Sequence, residues 1–426
     1  MFVEVSLPIS SFKTFTYLVP ENLETQSLIG SRVTVPFGNR KVSGVIVSLM
    51  DSTSFSGEVK SISSFDDDAP IISQNLWKLV RWVSHYYITP IGVVYNTVLS
   101  FNISKNYIPR QSWFVKNSSK DIDLLLKKTA PKQYLVYKAI QQSSQKYIKV
   151  SSLKNISSNP ISICKALQIK GCIELVKKDD NQGGNSLTFN PVKKNISYNE
   201  DQLKVIDNIK SSLKTKKFKS NLLHGVTGSG KTEIFIEVIK AVIKMERSAI
   251  ILIPEISLTP QIAGRFKDVF GQEIALWHSQ LTKSQRAKTW NEINNGDCKI
   301  VIGARSAVFS PVKKLGLIIV DEEHDSSFKQ DSPSPRYHAR DVAIMRAKIE
   351  ECTVILSSAT PSLETFYNYK NSKHRYLSLP KRYGKAVYPT VKVVDLIDES
   401  KETGKFNIII SGTLQRKIEK KLKNNE

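Results

Sequence analysis

"NLLHGVTGSGKTEIFIEVIKAVIKM", residues Asn221 to Met245, carries three signals in one short segment. It begins with an apolar run, Asn221-Leu222-Leu223-His224, of the length and flanks of a buried strand. It ends in an apolar-rich stretch of helical length. Between them, Gly225-Val226-Thr227-Gly228-Ser229-Gly230-Lys231-Thr232 fits the pattern G-x-x-x-x-G-K-[ST]. In the order strand, glycine loop, helix, the pattern has a mechanism. Backbone N–H groups of the loop wrap phosphates, and the helix start adds the positive end of its dipole. Lys231 then reaches the β- and γ-phosphates of a nucleoside triphosphate, read here as ATP, and Thr232 ligates Mg²⁺. The competing reading is a ligand-free glycine turn, which would need neither the strand nor the helix.

Downstream the pattern repeats. Ala249 to Ile253, Lys299 to Ile302, Leu315 to Val320 and Thr353 to Leu356 are short apolar runs separated by helical stretches. Continuous β-branched runs of this kind predict an α/β fold, a parallel sheet with helices on both faces. One run, "LGLIIVDEEH" (Leu315 to His324), ends in acids. On the same sheet as the glycine loop, Asp321 can hold Mg²⁺ through water. Glu322 can orient and deprotonate the attacking water. In isolation the acids would read equally as another metal site or a solvated strand end. With the loop upstream, Glu322, Lys231 and Asp321 are the catalytic candidates.

Upstream of the loop the composition changes. Residues 1 to about 65 alternate in the strand manner. Arg32 to Pro36 and Val42 to Ser48 flank a hairpin turn at Phe37-Gly38-Asn39-Arg40. Residues 74 to 100 read as helical, with Trp77, Val80, Trp82 and Tyr86 available for packing. Residues 130 to 178 hold short helices and then a strand, the pattern of a small winged-helix module. The polar, Gly/Asn-rich stretch that follows is the best linker in the chain. The expected division is 1–105, 106–178 (winged-helix-like), 179–197 (linker), 198–395 (phosphate-loop lobe) and 396–426.

Sixty-two Lys and Arg against 39 Asp and Glu give a net charge of +23 in 426 residues. That surplus favours a polyanionic partner, nucleic acid or an anionic membrane surface, unless it is a Lys-rich compositional bias. No apolar run approaches the roughly 20 residues that span a bilayer. The N-terminus has Glu4 among its apolar residues and no preceding positive charge, unlike a signal peptide. The four cysteines form no C-x-x-C pair and read as reduced, buried thiols of a cytoplasmic protein.

The ordered set "YNEDQ", "GVTGSGKTE", "LIPEISLTPQ", "GARSAVF", "DEEHDSSFKQ…RYHARD" and "SSATPSLET" resembles superfamily 2 DNA helicases, and within them the PriA family of replication-restart helicases. The resemblance implies a P-loop, RecA-like motor lobe preceded by a small β-rich DNA-binding domain. It implies that Gln202 reads the adenine and that Gly225 to Thr232 hold the nucleotide. Pro254-Glu255, Thr259-Pro260 and Gly303-Ala304-Arg305-Ser306 would lie along the DNA track, and Ser358-Ala359-Thr360 would pass ATP state to DNA. The loop after the acidic box would touch single-stranded DNA. Phe328, Tyr337 and His338 would stack on bases, while Lys329, Arg336 and Arg340 would meet phosphates. "KTFTYLVP" and "VPFGNRKVSG" resemble the family's pocket for a 3′ DNA end, with Phe15, Thr16, Gly38 and Lys60 at matching positions.

The same resemblance implies an ATP-dependent 3′-to-5′ DNA helicase that recognises stalled or branched forks and initiates primosome assembly. Its partners would be DNA forks, 3′ ends and single strands, primosome-loading proteins and single-strand-binding protein, with no membrane. Full-length relatives also carry a zinc module and a second motor lobe whose arginine completes the ATP site. This chain has no cysteine cluster that could ligate zinc, and it stops at "LQRKIEKKLKNNE" with an i, i+4, i+8 stripe of Leu414, Ile418 and Leu422. Residues 396–426 therefore read as the opening of a truncated second lobe. The alternative function is a non-unwinding DNA-binding fragment with a residual ATP loop, since a trans arginine supplies about 10³ to 10⁵ in rate in related systems.

Overall fold

Alternation near the N-terminus produces an antiparallel sheet of β1 (Phe2–Ser6), β2 (Phe15–Leu18), β3 (Arg32–Phe37), β4 (Arg40–Met50) and β5 (Ser64–Phe65), in the order β2-β1-β4-β3-β5. The structure is a computed structural model and describes residues 1–21, 29–53, 56–67, 70–99, 111–117, 130–143, 147–179, 197–254, 260–383, 391–404 and 409–424. Phe37 pairs with Arg40 to close the expected hairpin, and Gly38 adopts φ +59° in its turn. Arg32 is buried and makes a two-pronged ion pair with Asp67, at 2.6 and 2.8 Å.

Two helices follow, α1 (Gln74–Tyr86) and α2 (Ile91–Val98). Ser73 caps α1 by accepting from Leu76 N at 3.2 Å. Gly92 in the first turn of α2 lies so close to β1 that a Cβ there would stand 2.2 Å from the Leu7 carbonyl oxygen. A small module comes next: β6 (Gln111–Asn117), α3 (Pro131–Gln142), β7 (Ile148–Lys149), α4 (Pro160–Ile169) and β8 (Ile173–Asp179). Its sheet, ordered β7-β6-β8, is antiparallel, and both helices pack on it. It occupies the stretch where the sequence predicts a winged-helix-like module. The expected linker falls almost wholly on 180–196, outside the described residues.

The phosphate-loop lobe comprises α5 (Glu200–Lys214), β9 (Lys219–Gly225), α6 (Lys231–Lys244), β10 (Ser248–Leu252), α7 (Pro260–Phe270), β11 (Ile274–Trp277), α8 (Lys283–Asn295), β12 (Ile300–Gly303), β13 (Leu315–Asp321), α9 (Ala339–Ile349), β14 (Thr353–Ser358), α10 (Leu363–Lys370) and β15 (Arg375–Leu379). Its seven strands run parallel in the order β11-β12-β10-β13-β14-β9-β15. β10, β12 and β14 are buried throughout, as continuous apolar runs demand.

The first helices are not a separate layer. Leu76, Leu79, Val80 and Val83 of α1 belong to the same apolar core as Val342 and Ala343 of α9. Burying each of these α1 side chains contributes about 1.5–3 kcal/mol. Asn75 Nδ2 adds a hydrogen bond to Glu350 Oε2 at 2.9 Å. The chain from β13 to α9 enters that core too: Phe328 and Tyr337 are fully buried, and Tyr337 meets Phe309 edge-on at 5.1 Å.

The second unit, Arg382–Glu426, holds α11 (Leu396–Thr403) and α12 (Gly412–Lys423). Ser411 caps α12, and Gly412 N donates to Glu399 Oε1 at 2.7 Å. Leu414, Ile418 and Leu422 are all exposed on α12. Among the described residues no helix is long and apolar enough to cross a membrane.

The burial of Phe328 makes a stability prediction. Phe328→Ala should lower the free energy of urea unfolding by about 3–5 kcal/mol, as emptying a packed aromatic site does. Arg336→Ala, at an exposed neighbour, should stay within about 0.5 kcal/mol of the parent.

Candidate functional site

The glycine loop sits where β9 ends and α6 begins. Gly228 and Gly230 adopt φ +77° and +83°, conformations that L side chains rarely take. Gly225 is confined as well, since a Cβ there would lie 2.8 Å from Ser229 Oγ. At the start of α6 the Lys231 ammonium donates to the Gly225 carbonyl at 3.1 Å and pairs with Glu322 Oε1 at 3.2 Å. The glycine loop and the acidic strand end thus meet in space, 91 residues apart in sequence.

Strand register brings them together. β14 lies between β13 and β9, with Asp321 opposite Ser357 and Ser357 opposite Leu223. Asp321 Oδ1 accepts from Ser357 Oγ at 3.2 Å and from Glu322 N at 3.1 Å. Burial, and next the Glu322 charge, push the Asp321 carboxyl up to about 6, although Lys231 and Ser357 act the other way. Glu322 has φ +47°, a left-handed conformation that costs on the order of 1–2 kcal/mol for a side-chain-bearing residue. That turn carries its carboxylate to Lys231.

The third and fourth residues of the acidic run have roles that residue-type reasoning leaves out. Glu323 is fully buried and accepts from Ser362 N (2.7 Å), Thr365 Oγ1 (2.8 Å), Ser362 Oγ (3.1 Å) and Arg340 Nη1 (3.2 Å). His324 Nδ1 lies 3.7 Å from Glu322 Oε2 and 2.8 Å from Ser358 Oγ. The ends of β13 and β14 are therefore joined by side chains as well as by the ladder. The only sequence sign of this was the run of four ionisable residues at one strand end.

Gln202 is buried. Its Oε1 accepts from Asn199 N at 3.0 Å in a capping box that starts α5, and its Nε2 donates to the Ser229 carbonyl at 2.9 Å. In this structure the side chain braces the glycine loop. Thr232 follows Lys231 in the first turn of α6, half-buried. The donor set suits a magnesium ion carried in with a nucleotide: a desolvated carboxylate at Asp321 and a threonine hydroxyl at the helix start are hard oxygen ligands. Among the described residues, no group of three or more His, Cys, Asp or Glu could hold a metal ion by itself.

The loop after the acidic box requires correction. The family resemblance puts Phe328 and Tyr337 on bases, but both rings are in the core and neither is exposed to stack in this structure. The reason is that this segment closes the floor beneath α1 and α9. Arg340 is drawn to buried Glu323 and to Asp341, at 3.2 and 3.0 Å, rather than to solvent phosphate. Arg305 Nη1 donates to the Lys329 carbonyl at 3.0 Å and so braces the loop. His338 caps α9. Lys329 is half-buried with its ammonium on the Arg336 carbonyl, while the Arg336 side chain is exposed. Glu255 and Thr259 fall outside the described residues, as does the Pro260 side chain.

The four residues expected at a 3′-end pocket gather around β2 and its neighbouring turns. Phe15 is half-buried and meets Phe37 edge-on at 5.1 Å, with Gly38 exposed beside it. Thr16 sits in β2 opposite Glu4. Lys60 is exposed, and its carbonyl accepts from Leu18 N at 3.0 Å.

Comparison with known proteins agrees with this layout. Residues 4–100 match the PriA 3′ DNA-binding domain, and residues 199–368 match the DEAD/DEAH box helicase domain. The replication restart protein PriA of Chlamydia pneumoniae is 36% identical over 99% of this chain and 56% of its own length. That of Bacillus subtilis is 30% identical over 98% of this chain and 61% of its own. That of Haemophilus influenzae is 34% identical over 94% and 55%. The chain thus spans little more than half the length of these relatives. Over that span it resembles these replication restart proteins, with a PriA 3′ DNA-binding domain followed by a DEAD/DEAH box helicase domain.

Proposed function

We propose that the protein is the DNA-engaging, ATP-binding part of a 3′-to-5′ helicase that recognises stalled or branched replication forks in the cytoplasm. The observation that carries the reading is the Lys231–Glu322 contact at 3.2 Å, in a chain that also matches a 3′ DNA-binding domain. ATP enters with its phosphates in the Gly225 to Thr232 loop and its adenine towards Gln202. Lys231 leaves Glu322 for the phosphates, and the freed carboxylate orients water. Asp321 and Thr232 would hold Mg²⁺, which supplies charge neutralisation on the β- and γ-phosphates when bound.

On the DNA side, Phe15, Thr16, Gly38 and Lys60 receive the 3′ end. Lys329 and Arg336 meet the backbone near the loop. Primosome-loading proteins and single-strand-binding protein are the partners that the family resemblance suggests. A second reading, binding without unwinding, has its own support: the described residues contain one seven-stranded sheet of the motor type. ATP turnover by this chain alone, measured with fork DNA, separates the two.

Three outcomes are expected. Lys231→Ala should abolish binding of a fluorescent ATP analogue while keeping affinity for a 3′-tailed duplex within about threefold, a change under roughly 0.7 kcal/mol. Loss of both would mean that the loop and the DNA surface are not separable. Glu322→Gln should still bind nucleotide yet lose hydrolysis with and without DNA, as measured by phosphate release. Finally, affinity for DNA should fall steeply as salt rises from 50 to 200 mM, by about tenfold or more if several phosphates are contacted. A flat salt response would leave the +23 charge without a nucleic-acid role.

A further inference from the structure

Phe328 and Tyr337 are buried, and the third ring of the loop, His338, is half-buried and engaged as the cap of α9. Other aromatics lie beside it. At the end of α1, Trp82 and Tyr86 stack at 4.8 Å with only 18° between their planes. Tyr86 meets Tyr87 edge-on at 4.9 Å. Tyr87 in turn touches the loop twice: its hydroxyl accepts from His338 N at 3.1 Å, and the Lys329 ammonium lies 5.6 Å from its ring centre. The three rings form a ladder leading out of the core. Its outermost ring, Tyr86, is 58% exposed, although the helical spacing predicts it to pack inward.

Charge on this surface is mostly positive. Lys329 on the ladder donates to the carbonyl of Arg336, whose side chain is exposed. Arg81 and His85 are exposed on the neighbouring strip of α1 and line a shallow groove with Phe12 and Ile88. The acid whose charge acts on Tyr87, Asp341, is already paired with Arg340 at 3.0 Å. An exposed flat ring, supported from behind by a second ring and flanked by cations, is the arrangement that holds single-stranded nucleic acid. The ring takes a base and the cations take the phosphates on either side.

We infer that Trp82, Tyr86 and Tyr87 form a stacking platform for a base of single-stranded DNA, away from any 3′ end, with Tyr86 as the receiving ring. The inference rests on the DNA-binding reading above and adds a site to it. Because Tyr87 holds the backbone of His338, strand contact at the platform bears directly on the loop that continues from Glu322. The platform thereby supplies the stacking that the family resemblance assigned to Phe328 and Tyr337.

The test uses the whole chain and a circular oligothymidylate, which has no 3′ end to enter the β2 pocket. Binding is followed by fluorescence anisotropy at fixed salt. Tyr86→Ala should weaken binding of the circle about tenfold, within the range expected for losing one base–aromatic stack. Tyr86→Phe should remain within about twofold, since the ring face and not the hydroxyl is used. Affinity for a blunt duplex should be the same in all three proteins. If Tyr86→Ala binds the circle as tightly as the parent, or loses circle and duplex binding in equal proportion, the platform is overturned and Tyr86 is only a helix-surface ring. If the parent itself binds neither the circle nor a linear single strand, the DNA-binding reading fails first and takes this inference with it.

Discussion

The register of β14 between β9 and β13 is the constraint on which the site depends. A parallel ladder leaves no freedom in where its strands end relative to one another. With Ser357 opposite both Leu223 and Asp321, the glycine loop and the acidic turn must emerge side by side at the carboxyl edge of the sheet. A slip of one residue would displace Asp321 by about 3.3 Å and turn alternate side chains to the other face. The 3.2 Å contact between Lys231 and Glu322 would then be impossible. Asp321 Oδ1 accepting from Ser357 Oγ at 3.2 Å ties β13 to β14 in this register by side chains as well as by the ladder.

From that edge the chain runs without a break through the parts that must respond to one another. Glu322 takes up a left-handed turn, and Glu323 is pinned in the core by donors from the start of α10 and by Arg340 at the start of α9. His324 reaches Ser358 at the end of β14. Arg305 holds the loop's carbonyls from the other side. The end of β13 is thus tied by hydrogen-bonded side chains to the starts of α9 and α10 and to the end of β14, and α1 is in contact with the same loop through Tyr87.

Local order was legible in the sequence because it rests on local causes. The glycine loop, the buried strands β9, β10, β12, β13 and β14, and the hairpin closed by Phe37 and Arg40 follow from residue types at fixed spacing. β11 and β15 escaped the pattern: both are short edge strands, "IALW" of only four residues and "RYLSL" with a partly polar face. The loop after the acidic box was misread for a different reason. The family resemblance places its rings on bases, yet Phe328 and Tyr337 are buried in a core shared with α1, which lies far away in sequence. Tyr86 shows the converse error, since its helical spacing suggests burial and the end of α1 leaves it in solvent. Gln202 could be tied to nucleotide only through family resemblance. That its amide caps α5 and braces Ser229 depends on tertiary contact.

The four cysteines have a practical consequence. All are buried, and burial raises the thiols of Cys164 and Cys298 to about 11 and that of Cys352 to about 12. A thiol that is both covered and protonated is inert to alkylating reagents at neutral pH. Cys164 lies in the small three-stranded module, whereas Cys298 and Cys352 lie in the seven-stranded lobe. Each therefore serves as a silent reporter that reacts only when its own part of the molecule opens, so the two regions can be timed separately in one unmodified protein. The same silence makes the chain a ready background for a single added cysteine carrying a spectroscopic label.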